Sequence, residues 1–458
     1  MQERVTLTST QINTDLLRNV LKAPLWYWLL MGFLASITLA GSIAVGFMVN
    51  KGLGITGLNR PVMWGFLITD FVFWIGISHA GVMLSAILRL SKAEWRRPAT
   101  RASEVLTVFS LMIAALHPVI HSGRPWRTLY WAFPYDFSRG IFPDIRSPLI
   151  WDPAAIFTYL TGSTLFVIVA LVPDLGVIRD RTTGIRHHIY SLMAMGWRGT
   201  PRQWKLQTIA GFLLSALLLP VFVSVHSIVS WDFAVQIGVE GWHATIFAPY
   251  FVIGAVFSGV SAVVTMVILM RWMFKWEAYI RAEHVDALGR LLIAIGTAWL
   301  FFFFLEFSMA LYSLEDQEIA LREMQVFTWP YNMLFLVFVV TGYLFPVTMW
   351  LFRGVRRNLV LMLITSLSVN VGMWLERFLI IIPSLARKSP LSFDWRSYHP
   401  SIVEITIVLS AFATVFLLLL VFAKVFPLIP LFDVKEGQTL ADNVQIGRKS
   451  VPALRVEE

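Results

Sequence analysis

Residues 402–426 read IVEITIVLSAFATVFLLLLVFAKVF, and this stretch determines the class of fold to which the chain belongs. Its only charged side chains, Glu404 and Lys424, stand near the two ends. About 20 apolar residues in a helix are needed to cross roughly 30 Å of hydrocarbon. Inside lipid a helix also satisfies all of its own backbone hydrogen bonds. The stretch therefore predicts a transmembrane α-helix.

The same pattern recurs along the chain and predicts an all-α integral membrane protein with ten transmembrane helices. The predicted spans are residues 25–50, 62–88, 103–122, 149–172, 206–229, 246–270, 291–314, 328–352, 358–383 and 402–426. They make a membrane domain of residues 25–426, between an N-terminal segment (1–24) and a polar C-terminal tail (427–458).

The composition excludes a soluble globule. Charged residues make up 14% of the 458 residues and hydrophobic residues 57%, whereas soluble domains carry about 25% charged residues. The mean hydropathy is +0.69. The net charge of +9 does not point to nucleic acid, because Lys and Arg in a membrane protein first report orientation. Since Cys is absent, we expect no thiolate metal site, iron–sulfur cluster or c-type haem on this chain.

Lys and Arg are distributed unevenly between the two sides of the predicted membrane domain. Most of the 37 lie in the N-terminal segment, in the tail and in the loops that follow even-numbered spans, such as 89–101 and 179–205. The positive-inside rule assigns these segments to the cytoplasm. With an even number of spans, both termini are predicted to be cytoplasmic, and residues 123–148, 230–245, 315–327 and 384–401 are outer loops.

Titratable residues from several spans are predicted at one level, near the outer membrane surface. A quinol loses two electrons and two protons on oxidation, and His or Asp can accept those protons when they hydrogen-bond its hydroxyls. The ring needs an apolar, aromatic-lined cleft that is open to lipid. We interpret His121, Asp152 and Asp232 as the candidate catalytic proton acceptors. The candidate quinol-binding neighbours are His117, Arg124, Trp126, Trp151, His226 and Trp231.

A second set of ionisable residues lies deeper: Asp70, His79, Glu306, Glu376 and Arg377. Such groups are costly in hydrocarbon, so they predict either a proton path or hydrogen-bonded ties between helices. Adjacent residues point about 100° apart on a helix. We therefore expect Glu376 and Arg377 each to pair with a neighbouring helix rather than with one another. Glu404 is interpreted as structural.

Two rival interpretations fit part of this pattern. His117 and His226 could be axial ligands of a b-type haem, although such ligand pairs usually lie deeper in the membrane. A proton-coupled secondary transporter would also use intramembrane acids and Arg377. Transporters of that kind have broken half-helices near the midplane, whereas the clearest prolines here lie toward helix ends.

Three long motifs resemble the NrfD/polysulfide-reductase family of membrane proteins. They are HPVIHSGRPWRTLYWAFPYDFSRGIFPDIRSPLIWD (117–152), HSIVSWDFAVQIGVEGWHATIFAPYFVIGAVFSG (226–259) and NVGMWLERFLII (370–381). Within that family the chain is most similar to the ActC-type quinol-oxidising subunit of bacterial alternative complex III. The resemblance implies two four-helix bundles, about residues 62–229 and 246–383, flanked by the first and last spans.

The resemblance also implies a function. The chain would be a subunit, not active alone, that oxidises menaquinol or a related quinol near the periplasmic face of a bacterial inner membrane. It would hold no haem, metal or cluster. Electrons would pass to a periplasmic iron–sulfur subunit and multihaem cytochrome c subunits, beside a second NrfD-like subunit. The chain could itself be that second subunit, with a proton-translocating or structural role.

Residue by residue, the resemblance assigns the quinol-site His and two Asp to His121, Asp152 and Asp232. His117 and His226 are alternatives, and Arg124 is a pocket neighbour. The residues that would lie on proton routes are Asp70, His79, Glu306, Glu376 and Arg377.

Overall fold

A computed structural model describes residues 7–91, 93–127, 148–236, 238–387, 398–439, 442–446 and 449–453. In chain order the main helices are α1 (Ser9–Leu21), α2 (Leu25–Lys51), α3 (Gly65–Leu90), α4 (Arg97–His121), α5 (Pro148–Arg179), α6 (Gly184–Met193), α7 (Pro201–Ala234), α8 (Phe247–Phe274), α9 (Ala282–Ser313), α10 (Asp316–Phe327), α11 (Tyr331–Trp350), α12 (Arg353–Arg357), α13 (Leu359–Ala386), α14 (Ile402–Val425) and α15 (Leu431–Thr439). Two short strands, β1 (Asp442–Ile446) and β2 (Lys449–Ala453), pair antiparallel in the tail.

The all-α membrane fold predicted from the sequence is confirmed. Ten helices of the described chain are long and apolar enough to cross a membrane, and they fall on the ten predicted spans. They are α2, α3, α4, α5, α7, α8, α9, α11, α13 and α14.

Some boundaries differ from the prediction because charged side chains are buried inside the fold. Helix α4 begins at Arg97 rather than at residue 103. Arg101 lies inside the protein with its Nη1 atom 2.5 Å from Asp174 Oδ2, so the helix continues past the end of the apolar run. The predicted outer loop 315–327 is largely helical, as α10.

The membrane helices form two four-helix bundles and a flanking pair. Helices α3, α4, α5 and α7 surround one bundle core, and α8, α9, α11 and α13 surround the other. The bundles meet where α8 contacts α3 and α7 and where α13 contacts α3. Helices α2 and α14 pack along each other beside them, with Thr38 Oγ1 3.1 Å from Thr414 Oγ1.

The N-terminal helix and the start of the tail lie at the same end of the molecule. Asn19 Nδ2 donates to the carbonyl oxygen of Ala423 at 2.9 Å, and Lys424 Nζ donates to the carbonyl oxygens of Asn19 and Val20, both at 3.0 Å. Tyr190 of α6 donates to the carbonyl oxygen of Val425 at 2.9 Å. We call this the basic end, because most Lys and Arg residues belong to it. That it faces the cytoplasm stays a prediction.

Candidate functional site

Asp152 and Asp232 meet at the end of the first bundle opposite the basic end. Asp152 lies in the first turns of α5 and Asp232 near the end of α7, and the two carboxyl groups are within hydrogen-bonding reach of each other. Within the described residues, neither oxygen of Asp232 nor Oδ1 of Asp152 accepts a bond from an N–H or O–H group. Two ionised carboxylates so close together repel, so the pair is suited to hold one proton.

His121, the last residue of α4, lies at the same end. Its ring packs against Trp64 and Phe71, with ring centroids 6.0 and 6.4 Å apart. Its Nδ1 atom is buried and has no hydrogen-bond partner in the described part of the chain. No hydrogen bond between described residues joins His121 to Asp152 or Asp232. The structure thus places the imidazole and the carboxyl pair at the same end of the bundle as two separate groups.

One helical turn below His121, His117 contacts the fully buried carboxylate of Asp70. His117 Nε2 lies 3.0 Å from Asp70 Oδ2, and Trp74 and Trp374 donate to the same carboxylate at 3.1 and 3.3 Å. Because Trp374 belongs to α13, Asp70 ties the two bundles together. His117 Nδ1 is 2.9 Å from the carbonyl oxygen of Ile113. His117 of α4 thus lies against Asp70 of α3, and the haem-ligand interpretation stays a prediction.

His79 and His226 form a pair in the interior of the first bundle, with ring centroids 4.5 Å apart. His79 Nδ1 lies 2.8 Å from the carbonyl oxygen of Ile75, and its Nε2 lies 3.1 Å from that of Phe222. A neutral imidazole has one N–H, so only a doubly protonated ring could donate to both carbonyls. Neither ring nitrogen of His226 has a side-chain partner among the described residues. Both ring nitrogens of His79 thus lie beside carbonyl oxygens, whereas no side chain hydrogen-bonds to the ring nitrogens of His226 within the described residues.

Glu376 and Arg377 are in contact, which corrects the expectation that these neighbours would not pair. Arg377 Nη1 reaches Glu376 Oε2 and also donates to the carbonyl oxygen of Met373 at 3.2 Å. The long guanidinium side chain folds back along its own helix, which overcomes the angle between adjacent positions. The other half of the expectation is correct for Glu376, because it accepts bonds from Tyr250 of α8 and Trp299 of α9.

Glu306 pairs with Arg322, a residue that the sequence predicted to lie in an outer loop. Arg322 Nη2 lies 2.9 Å from Glu306 Oε1, because α10 folds back against the second bundle. Glu318, Leu321, Arg322 and Gln325 are the buried residues of α10. Their spacing of three, four and seven residues is the signal that could have revealed this helical face in the sequence. A cavity beside the pair is lined by Glu306, Arg322, Gln325, Tyr250 and Glu376.

Four of the remaining predicted residues lie at or just beyond the helix ends near Asp152 and Asp232, and Glu404 has a structural role. Arg124, Trp126 and Trp231 are exposed, while Trp151 is partly buried. Within the described residues, Trp126 and Trp231 are therefore not enclosed in a pocket. Glu404 accepts bonds from the backbone N–H groups of Gly57 at 2.6 Å and Ser401 at 2.9 Å, and from the hydroxyl of Tyr398 at 2.5 Å.

A group of polar residues beside α10 has the composition of a cation site. Glu240, His243, Glu315 and Glu318 place one ligand atom each within 4.8 Å of one another. Carboxylate oxygens with an imidazole are ligands that divalent cations accept. Burial, followed by the nearby Glu318 carboxylate, raises the pKa of Glu240.

Comparison with known proteins identifies the family. Residues 54–387 match the family model described as polysulphide reductase, NrfD, and the chain belongs to this family of membrane proteins. It is similar to a putative dimethyl sulfoxide reductase membrane subunit of Halobacterium salinarum, with 26% identity over 262 residues, 57% of this chain and 55% of that protein. It is also similar to a selenate reductase subunit of Mesobacillus selenatarsenatis, with 21% identity over 426 residues, 87% of this chain and 93% of that protein.

The match thus spans about half of the first relative and nearly all of the second. The family resemblance inferred from the motifs is confirmed. The descriptions of these two relatives do not mention alternative complex III, so the likeness to its ActC-type subunit stays a prediction.

Proposed function

We propose that this chain is the quinol-oxidising membrane subunit of a multi-subunit oxidoreductase. The observation that supports the proposal is the Asp152–Asp232 pair, in which both oxygens of Asp232 and Oδ1 of Asp152 lack N–H and O–H donors within the described residues. A carboxyl pair in this state can bind a hydroxyl group and take its proton. His121, with one free ring nitrogen in an aromatic setting, supplies a second acceptor at the same level.

The reaction requires both acceptors. A quinol has two hydroxyl groups and becomes a quinone when it loses two protons and two electrons. In our proposal the Asp152–Asp232 pair accepts one proton and His121 Nδ1 accepts the other, after which both are released at the predicted outer surface. The two electrons leave to a redox centre on a partner protein, because a chain without Cys cannot hold an iron–sulfur cluster on thiolates.

The names of the relatives favour one kind of complex. Both are described as subunits of reductases, so we propose a reductase in which an iron–sulfur protein and a catalytic protein are the partners. Alternative complex III, with multihaem cytochromes c and a second NrfD-like subunit, is the other assembly that this chemistry would fit. The acceptor of the electrons distinguishes the two.

A proton route through the interior is a further part of the proposal. It would use Asp70, His79, Glu306, Glu376 and Arg377. Arg377 lies between the bundles: a Cβ atom added at Gly76 of α3 or Gly254 of α8 would be 3.6 or 3.3 Å from its Nη2 atom. These glycines leave space for the guanidinium where the buried groups of both bundles come nearest to each other.

The proposal is tested on the complex purified through this chain, with quinol oxidation as the measured rate. We expect Asp152→Asn, Asp232→Asn and His121→Ala each to lower turnover about a hundredfold or more, since positioned acid–base groups contribute at least that much. Asp180→Asn and His188→Ala, at exposed positions near the basic end, are the matched controls and should keep wild-type turnover. Near-normal turnover of all three site variants in an assembled complex would overturn the site assignment.

A further inference from the structure

An apolar groove opens on the side of the first bundle toward the basic end, far from the Asp152–Asp232 pair. Helices α4, α5 and α14 form its walls, and residues of α6 and the turn after it close one end. Its volume is about 440 Å³. The lining is apolar except for Thr164, and its main members are Val108, Phe109, Ile168, Leu171, Leu192 and Phe422.

Helix α6, which closes the groove, has the character of a helix that lies in a membrane interface. Ile185, Ile189 and Leu192 follow one another at spacings of four and three residues and are exposed, Ile185 by 78% and Leu192 by 82%. Arg186 and His188 are exposed between them. An exposed apolar stripe with basic residues beside it is typical of helices that sit between acyl chains and headgroups.

The mouth of the groove is positively charged. Arg186 lies within electrostatic range of Lys424 and Tyr190, and Lys424 adjoins Phe426, which lines the groove. Residues 179–205 contain six Lys or Arg residues and a single acid, Asp180. That acid is already 2.8 Å from Arg179. The cationic charge at this mouth is therefore not balanced within residues 179–205.

We propose that the groove binds one anionic glycerophospholipid of the adjacent leaflet. Its acyl chains would lie along Phe109, Ile168 and Leu171, and its phosphate would lie beside Arg186 and Lys424. A quinone tail would suit the apolar walls but carries no anion for the mouth. Basic residues near a membrane surface attract anionic lipids.

Native mass spectrometry of the purified protein tests this assignment. The protein is incubated in mixed micelles of dioleoylphosphatidylglycerol and dioleoylphosphatidylcholine at equal concentrations, and retained lipids are counted. We expect wild type to retain the anionic lipid preferentially. Ile168→Trp, which fills the groove, should lower that retention at least fivefold. Leu165→Trp is the matched control: it lies on the same helix, is similarly exposed (49% against 42%) and is not part of the lining.

Arg186→Glu tests the charge at the mouth, and Leu192→Glu tests the groove with a substitution at an exposed position. Arg186→Glu should abolish the preference for the anionic lipid, whereas Arg202→Glu, an exposed position in the same basic segment, should keep it. Leu192→Glu places a negative charge at the mouth on a highly exposed residue, so it should lower retention without disturbing the core. Equal retention of the two lipids by wild type, or unchanged retention in Ile168→Trp and Leu192→Glu, would overturn the proposal. So would release of a partner protein by Ile168→Trp with lipid unchanged. None of these outcomes depends on quinol oxidation.

Discussion

The buried acids of this protein differ in how many hydrogen bonds their carboxylate oxygens accept. Asp70 contacts Trp74, Trp374 and His117, and Glu376 and Glu404 each accept from three donors, which fixes the positions of these carboxylates. The carboxyl groups of Asp152 and Asp232 interact mainly with each other. An acid without donors binds a substrate hydroxyl at little cost, whereas a satisfied acid must first lose its own bonds. This difference separates the candidate quinol site from the more fully hydrogen-bonded acids elsewhere in the protein.

Arg101 and Asp174 provide a test of the buried charges at the basic end. Both side chains are 2% exposed, so Arg101→Leu leaves an unpaired carboxylate inside the protein. We expect a loss of about 3–5 kcal/mol in the free energy of unfolding. The double variant Arg101→Leu, Asp174→Leu should recover most of it, because both charges of the ion pair are then removed together. Thermal unfolding in detergent measures the difference; a double variant as unstable as the single one would contradict the explanation.

Glu240 provides a test of pH dependence outside the membrane helices. Burial and the neighbouring Glu318 raise its pKa in the folded protein, so folding favours its neutral form. Its stabilising contribution is present below the ordinary Glu pKa and is lost as pH rises through the folded-state value. Glu240→Gln should therefore raise the melting temperature more at pH 8 than at pH 5. Glu323→Gln, exposed on α10, should show no such difference between the two pH values.

At the scale of helices, small residues determine how closely the elements approach. A Cβ atom added at Gly372 of α13 would lie 2.3 Å from the backbone of Gly342 on α11. Close approach of this kind is how membrane helices gain packing energy. The contact also holds α13, which carries Glu376 and Arg377, close against α11.

Gly372→Ala should therefore force α11 and α13 apart. We expect a cost of about 1–3 kcal/mol in the free energy of unfolding, the usual effect of overpacking. Gly46→Ala in α2 is the control, since a Cβ atom there meets nothing within 4 Å. Differential scanning fluorimetry of both variants measures the effect, and equal melting temperatures would show that the helices can separate without cost.

At the scale of the whole molecule, the orientation in the membrane determines where quinol protons are released. The absence of Cys makes single-cysteine labelling straightforward. In intact cells a membrane-impermeant maleimide should label Gln317→Cys, at the exposed start of α10. Thr183→Cys, exposed before α6, should react only after permeabilisation. The reverse pattern would invert the topology and place the Asp152–Asp232 pair on the cytoplasmic side.

The fold class and the number of membrane helices followed from the sequence alone, because the bilayer sets the length of each apolar run whatever the helix packs against. The level of His121, Asp152 and Asp232 also followed, since helical rise converts sequence position into depth. The contacts of the buried acids did not follow from the sequence. Asp70 meets Trp374, and Glu306 meets Arg322 on a helix that was predicted to be a loop. Such contacts depend on how helices rotate and pack, and no local pattern encodes that geometry. Only the tertiary structure therefore distinguished the acids with several hydrogen-bond donors from the Asp152–Asp232 pair, which has few within the described residues.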